Sequence, residues 1–272
     1  MSEERPKDTN IKSTIEAVTG LVQAVPIYQD ALQPAAKQIG ASLETVTKVV
    51  NIALLPLRSV VWGYEQIGDW LTNTVAKKLS EVPQENIVTP PLTIAGPTVD
   101  AMRYSSDQEE LRELYANLIA TSMNKETAHK AHPGYVDIIK NITTDEVEIL
   151  KCFVVRDVHA CINVSRVANK SIGGVLLSRN YSSFSTFEKL QRKDLAPSYL
   201  DNLCRVGILE IPEGLHIVDT EIYRRLEDTF NDLKENLALN DSKLDFQRRI
   251  IRRTSYGEQF IQNVVKEFSL QG

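Results

Sequence analysis

Between Asp107 and Leu150 three amphipathic helices follow one another, each opened by its own start signal, and that succession commits this part of the chain to helix packing. Ser106 followed three residues later by Glu109 reads as a capping box, in which a hydroxyl and a carboxylate each satisfy an orphan amide. Leu111, Leu114, Tyr115, Leu118, Ile119 and Ser122 then recur at helical spacing, with Glu109, Glu110, Arg112 and Glu113 around the other side. Pro133 stands where a first helical residue belongs, because its missing donor costs nothing there. Tyr135, Ile138, Ile139 and Ile142 make the next stripe. Thr143 with Glu146 forms a second capping box, leading into Val147, Leu150 and Val154.

Upstream, the opening MSEERPKDTN is polar and expected to be disordered. Ile11 to Val25 carries Ile11, Ile15, Val18, Val22 and Val25 on one helical side, and Tyr28 to Ile39 is a shorter candidate containing Pro34. Ser42 caps a helix bearing Leu43, Val46, Val50, Ala53 and Leu54. Pro56 interrupts it, since its ring removes a donor and clashes with an earlier carbonyl. A further helix then carries Leu57, Val60, Val61, Tyr64, Ile67, Leu71, Val75 and Leu79 inward.

This apolar 42–79 pair has two readings. It resembles a membrane-active hairpin, with Leu54, Leu57, Val60, Val61, Trp62 and Trp70 as candidate membrane or oligomer contacts. It also reads as a helical core pair. Lys48 and Arg58 bracket too short an uncharged run, where a spanning helix needs about 20 apolar residues. The core reading is preferred, with release to a bilayer after activation as the membrane branch. From Glu81 to Pro97 four prolines predict an extended connector laid over the helical body.

Past Cys152 the pattern changes. Ser171 to Phe187 is rich in Ser and Gly and reads as a loop or short strand. SYLDNLCRVG predicts a short helix ended by Gly207, followed by a strand at 208–211, a turn at Pro212-Glu213-Gly214 and a return strand over Leu215–Val218. Asp219 opens a long helix with Ile222, Leu226, Phe230, Leu233 and Leu237 on one side. RRIIRRT at 248–254 reads as a strand, and Ser255 with Glu258 caps a last helix bearing Phe260, Ile261, Val264, Val265 and Phe268. The predicted fold is mainly α: a helical body over 11–142, then a winged-helix-like α+β module over 143–272 with the long helix inserted between its wing strands.

The chemistry is sparse. His129, His132 and Asp137 supply at most three ligands without the Glu of the helical zinc signature, and His132 before Pro133 reads as helix-start chemistry. His159 and Cys161 read as a partly buried thiol with an incidental histidine. No nucleophile elbow or phosphate loop is present. Neither catalytic residues nor a cofactor nor a metal is therefore expected, and the chain is read as non-enzymatic. Arg248, Arg249, Arg252 and Arg253 form the one basic cluster, a candidate contact for nucleic acid or a partner. Alternate residues on a strand face opposite ways, so the patch is halved on each side. Salt bridges to Glu221, Glu227 and Asp228 of the inserted helix are the preferred account of it. A net charge of −5 also weighs against nucleic acid. Three scattered cysteines without a framework spacing, and no secretory segment, fit a reducing cytoplasm.

Taken together, ALQPAAKQIG at 31–40, NIALLPLRSVVWGYEQI at 51–67, PPLTIAGPTVDAMRYSSDQEELRELYANLIATSM at 90–123 and HPGYVDIIKNITTDEVEIL at 132–150 resemble the abortive-infection alpha family. YLDNLCRVGILEI and RTSYGEQF extend the likeness. The resemblance implies bacterial antiphage defence, in which an infected cell is halted before the virus completes its cycle, and it carries over no catalytic residues. The expected partner is a phage or host protein, with a homo-oligomer or an activated membrane state as further contacts and nucleic-acid regulation as the alternative.

Overall fold

The structure is a computed structural model that describes residues 42–60, 65, 67–105, 107–168, 174–234 and 242–266. The polar opening, the helices expected at 11–25 and 28–39, and the calls on Ser106, Val61, Trp62, Tyr64, Leu237 and Phe268 lie outside those residues.

Ser42 precedes α1 (Leu43–Ala53), and its carbonyl accepts from Thr45 and Val46. α2 (Leu55–Val60) places Pro56 in its first turn, where a missing N–H is harmless. α3 (Gly68–Lys78) packs against α1, so Val46, Val50, Leu54, Leu57, Leu71, Val75 and Leu79 are all buried. The connector is shorter than expected. It lies against the helical body through Val88 N–H to the Met123 carbonyl at 2.8 Å and Lys125 N–H to the Asn86 carbonyl at 2.9 Å. α4 (Leu92–Met102) then starts inside the stretch read as extended and contains Pro97. The proline forfeits one ladder bond, which burial of Ile94, Ala95, Val99, Ala101 and Met102 offsets.

α5 (Glu109–Met123) is the axis of the molecule. Gln108 occupies its N-cap, and every residue from Leu114 to Met123 is buried. A helix enclosed on all sides needs neighbours all round. These are α3, α4, α6 (Gly134–Lys140), α7 (Thr144–Val155) and the last helical segment. Pro133 sits one position earlier than expected, at the N-cap of α6, and the His132 Nδ1 accepts from the Gly134 N–H at 3.0 Å. The Thr143–Glu146 capping box of α7 is fully formed.

After α7 comes a strand absent from the sequence reading, β1 (Val158–Ala168). β2 (Gly174–Ser182) occupies the Ser/Gly-rich stretch at nine residues. α8 (Ala196–Arg205) ends at Gly207, whose φ of +79° suits glycine. β3 (Leu209–Glu210) follows, then α9 (Glu221–Lys234) and β4 (Ser242–Arg253). The sheet is antiparallel in the order β2-β1-β4-β3. No strand forms over Leu215–Val218. The Ile217 N–H instead donates to the Tyr223 hydroxyl, and β3 takes β4 as its partner. α10 (Ser255–Phe260) continues as a π turn over Ile261–Val265. Its cap is Thr254, one residue before the Ser255 expected, and its hydroxyl accepts from Gly257 N–H at 2.8 Å.

One apolar core runs from Val46 through α3–α7 to Val265 and takes in Leu200, Leu203 and Ile251 from the second half. A second, smaller core fills the space between α9 and the sheet, built from Ala160, Ile162, Val164, Tyr181, Tyr223, Leu226, Phe230 and Leu244. The chain is mainly α with a small antiparallel sheet.

Candidate functional site

The four arginines of β4 are spread around the strand, and each finds a partner nearby. Arg248 pairs with Glu227 at 2.9 Å and lies over the Tyr223 ring. Arg249 donates to the Ile211 carbonyl at 2.8 Å. Arg252 pairs with Glu210 at 2.6 Å. Arg253, its side chain only 7% exposed, holds Asp157 at 2.6 Å and the Phe153 carbonyl at 3.2 Å. Of the acidic residues expected to meet this cluster, Glu227 does so, whereas Glu221 pairs with Arg224 and Arg225 of its own helix.

Of the apolar candidates with described side chains, Leu54, Leu57 and Trp70 are committed to packing within the protein. Leu54 and Leu57 are core residues, and Val60 closes α2. Trp70 is partly buried with the Arg112 guanidinium 5.0 Å over its ring. Among the described residues no helix is long and apolar enough to cross a membrane.

The reactive side chains sit in unreactive settings. Burial pushes the Cys161 thiol up to about 12 and Cys204 up to about 11, and it raises Cys152 as well. Such thiols stay protonated at neutral pH, and the thiolate is the nucleophilic form. Burial against Phe153 and Phe184 lowers His159 to about 4, leaving it neutral. His132 is spent on the start of α6 and meets the Tyr256 ring edge-on. Among the described residues no cluster of His, Cys, Asp and Glu could hold a metal ion.

An open hollow of about 350 Å³ is lined by Glu110, Thr144, Asp145, Glu148, Lys189 and Gln191. Asp145 in it accepts from the Gln191 and Arg192 main-chain N–H groups and from the Tyr199 hydroxyl. That carboxylate pins the 190s loop to α7 and leaves little acceptor capacity for a ligand.

What sequence reading missed is the outer edge of β2. Among the described residues β2 is bonded to β1 alone. Along that edge three consecutive apolar residues stand in solvent: Val175 at 56%, Leu176 at 54% and Leu177 at 36% exposure. The open stretch ends at Asn180. There φ turns to +54°, the N–H bonds the Asn163 Oδ1 at 3.0 Å, and the side chain is tied to Asp201 of α8. The available signal was the Val-Leu-Leu run directly after Gly173-Gly174.

The family profile for abortive infection alpha matches residues 63–264, about three quarters of the chain. This protein belongs to the abortive infection alpha family. That membership points to abortive-infection defence. The matched stretch of this abortive infection alpha protein begins beyond α1 and α2 and takes in α3, the sheet and the π turn. No curated protein matches it. An uncharacterized protein from the hydrocarbon-degrading marine bacterium Alcanivorax borkumensis SK2 has a solved structure covering 49% of this chain and 93% of its own. The two share 20% identity at a TM-score of 0.33, too low to bear on function.

Proposed function

We propose that this protein defends against phage without catalysis of its own, in the cytoplasm, by binding a phage or host protein through an exposed surface. The observation that supports the reading is the apolar edge of β2. Natural edge strands are usually shortened, charged or covered, because an open one recruits other chains. An apolar edge left uncovered among the described residues therefore supports an interaction surface.

The release of the apolar 42–79 pair is the costlier route. Peeling α1 and α2 away would expose Val46, Val49, Val50, Leu54 and Leu57. At about 2 kcal/mol each this comes to about 10 kcal/mol, comparable with the whole stability of a domain. A trigger would have to bind the released state tightly enough to overcome that. Edge binding needs no such rearrangement.

The test is phage challenge of bacteria expressing the protein, scoring survival and phage yield. Wild type should lower the yield, and Val175→Lys with Leu177→Lys should abolish protection while circular dichroism and melting stay unchanged. Full protection by that double variant would sink the surface reading. Leakage of dye from anionic vesicles on adding infected-cell extract would favour release instead.

The alternative is a winged-helix nucleic-acid-binding regulator, favoured by the order α8, β3, inserted α9, β4 and by the pairing of β3 with β4. A groove-reading module needs donors free to reach phosphates and bases. Arg248, Arg249, Arg252 and Arg253 are each turned to a protein partner instead. Duplex and single-stranded DNA and RNA at low salt decide it: tight, steeply salt-dependent binding that Arg248→Gln and Arg252→Gln abolish would establish this reading over the first.

A further inference from the structure

We infer that α9 is a hinged cover that opens on its own, uncovering one face of the sheet while the rest of the molecule stays folded. The inference goes beyond the contact-based reading above and does not depend on it. The two faces of the sheet belong to different cores, because successive residues of a strand point to opposite sides. Cys161, Leu209 and Ile251 turn toward the helical body and are part of the large core. Ala160, Ile162, Val164 and Leu244 turn the other way, into the small core that α9 completes with Tyr223, Leu226 and Phe230. Lifting α9 away would strip the second face and leave the first one seated.

A compact latch holds the cover shut. α9 packs chiefly on β1. The Phe230 ring meets Tyr181 and Phe246 edge-on, with centroids 5.1 Å and 6.5 Å away. The Tyr223 hydroxyl donates to the Arg249 carbonyl at 2.8 Å and accepts from the Ile217 N–H at 2.9 Å. Glu227 takes Arg248 at 2.9 Å, and the same guanidinium lies over the Tyr223 ring. Tyr223 and Glu227 on the helix, with Arg248 and the Arg249 carbonyl on β4, are the polar part of that latch.

The hinge lies on the N-terminal side of the helix. The Ile211 carbonyl is anchored to β4 by the Arg249 side chain at 2.8 Å, whereas Ile217 travels with α9 through Tyr223. Between these two anchors residues 213–216 are all exposed, and Gly214 has a φ of +73°. A short run of this kind can absorb the dihedral change of an opening motion. Proteins open in cooperative units whose free energies run from near zero up to the global value, and a helix on a small core of its own belongs at the low end.

The test is amide hydrogen exchange on the full-length protein, followed across a urea series below the unfolding transition. In the wild type the α9 amides should exchange at least about 100-fold faster than the slowest amides of α5. Their rates should also rise less steeply with urea, because opening the cover exposes less surface than unfolding does. Asn117→Leu, which weakens the large core, should speed α5 at least about fivefold and leave α9 unchanged. Tyr223→Phe and Glu227→Gln should each speed α9 by about threefold or more. Equal urea slopes for α9 and α5 in the wild type overturn the inference, and so does an equal acceleration of both helices in Asn117→Leu. Exchange in α9 that ignores both latch substitutions overturns the latch.

Discussion

The side-chain amide of Asn117, in the middle of α5, donates to the main-chain carbonyl of Val264 at 2.7 Å, a bond spanning 147 residues of sequence. Thr121, one turn on, does the same for the Asn263 carbonyl, also at 2.7 Å. The last carbonyls of a helix have no partner within it, and here the central helix supplies them. Replacing Asn117 with Leu leaves a buried carbonyl unsatisfied and should cost about 1–3 kcal/mol in urea unfolding. Thr121→Val should cost about 1 kcal/mol. A combined loss equal to that of Asn117→Leu alone would show that the two bonds act as one clasp, whereas losses under about 0.5 kcal/mol for both (half of the smaller cost expected) would refute the clasp.

Gly257 permits the close approach of α10 to the chain entering β3. A Cβ there would collide with the carbonyl of Ile208, which is backbone and cannot swing aside. That carbonyl also accepts from the Thr254 N–H at 3.0 Å. Gly257→Ala should therefore destabilise the protein by about 3 kcal/mol or more, seen as a lower melting temperature. Unchanged melting would mean that the helix can shift without cost.

His159 sets a pH dependence. Its folded-state value is lowered to about 4 by burial, against about 6.5 when unfolded. Between those values the unfolded chain binds a proton that the folded chain refuses. Stability is therefore full above about pH 6.5 and lost progressively as the pH falls toward 4. His159→Gln should flatten the part of this loss between pH 6.5 and 5, above the range where most carboxylates titrate. If the slope in that interval is the same in both proteins, His159 is not its source.

Thr143→Ala removes the hydroxyl that accepts from the Glu146 N–H and should cost about 1 kcal/mol. Glu146→Ala should cost more. Its carboxylate receives the Thr143 N–H at 2.6 Å and the Asn202 side chain at 2.6 Å, which joins α7 to α8. Equal losses would show that the bond to Asn202 contributes nothing.

That capping box was readable in advance because both partners lie within four residues of each other. The stripes of α5, α6 and α9 were readable for the same reason: helical periodicity is a local property. Thr254 and Ser255 are adjacent hydroxyls, and only the packing of Gly257 on Ile208 selects the first as the cap. Pro97 argues locally against a helix, yet five buried neighbours on α4 override it, and their burial depends on α5 being in place. β1 alternates Ala160, Ile162 and Val164 with Asn163 and Ser165, but the buried Cys161 breaks the pattern. The β2 edge could not be foreseen from Val175–Leu177 alone, since exposure there follows from strand order.

The pairing of β1 with β4 has a consequence for how the molecule comes into being. Asn163 meets Gln247 across 84 residues, so the inner strand waits for its neighbour until that intervening segment has left the ribosome. Loop closure over that span must precede any gain from the contact, which makes this step slow and late. Until then β1 has β2 alone to pair with among the described strands. The side of β1 that faces β4 is therefore completed only after the segment that carries β4 has emerged.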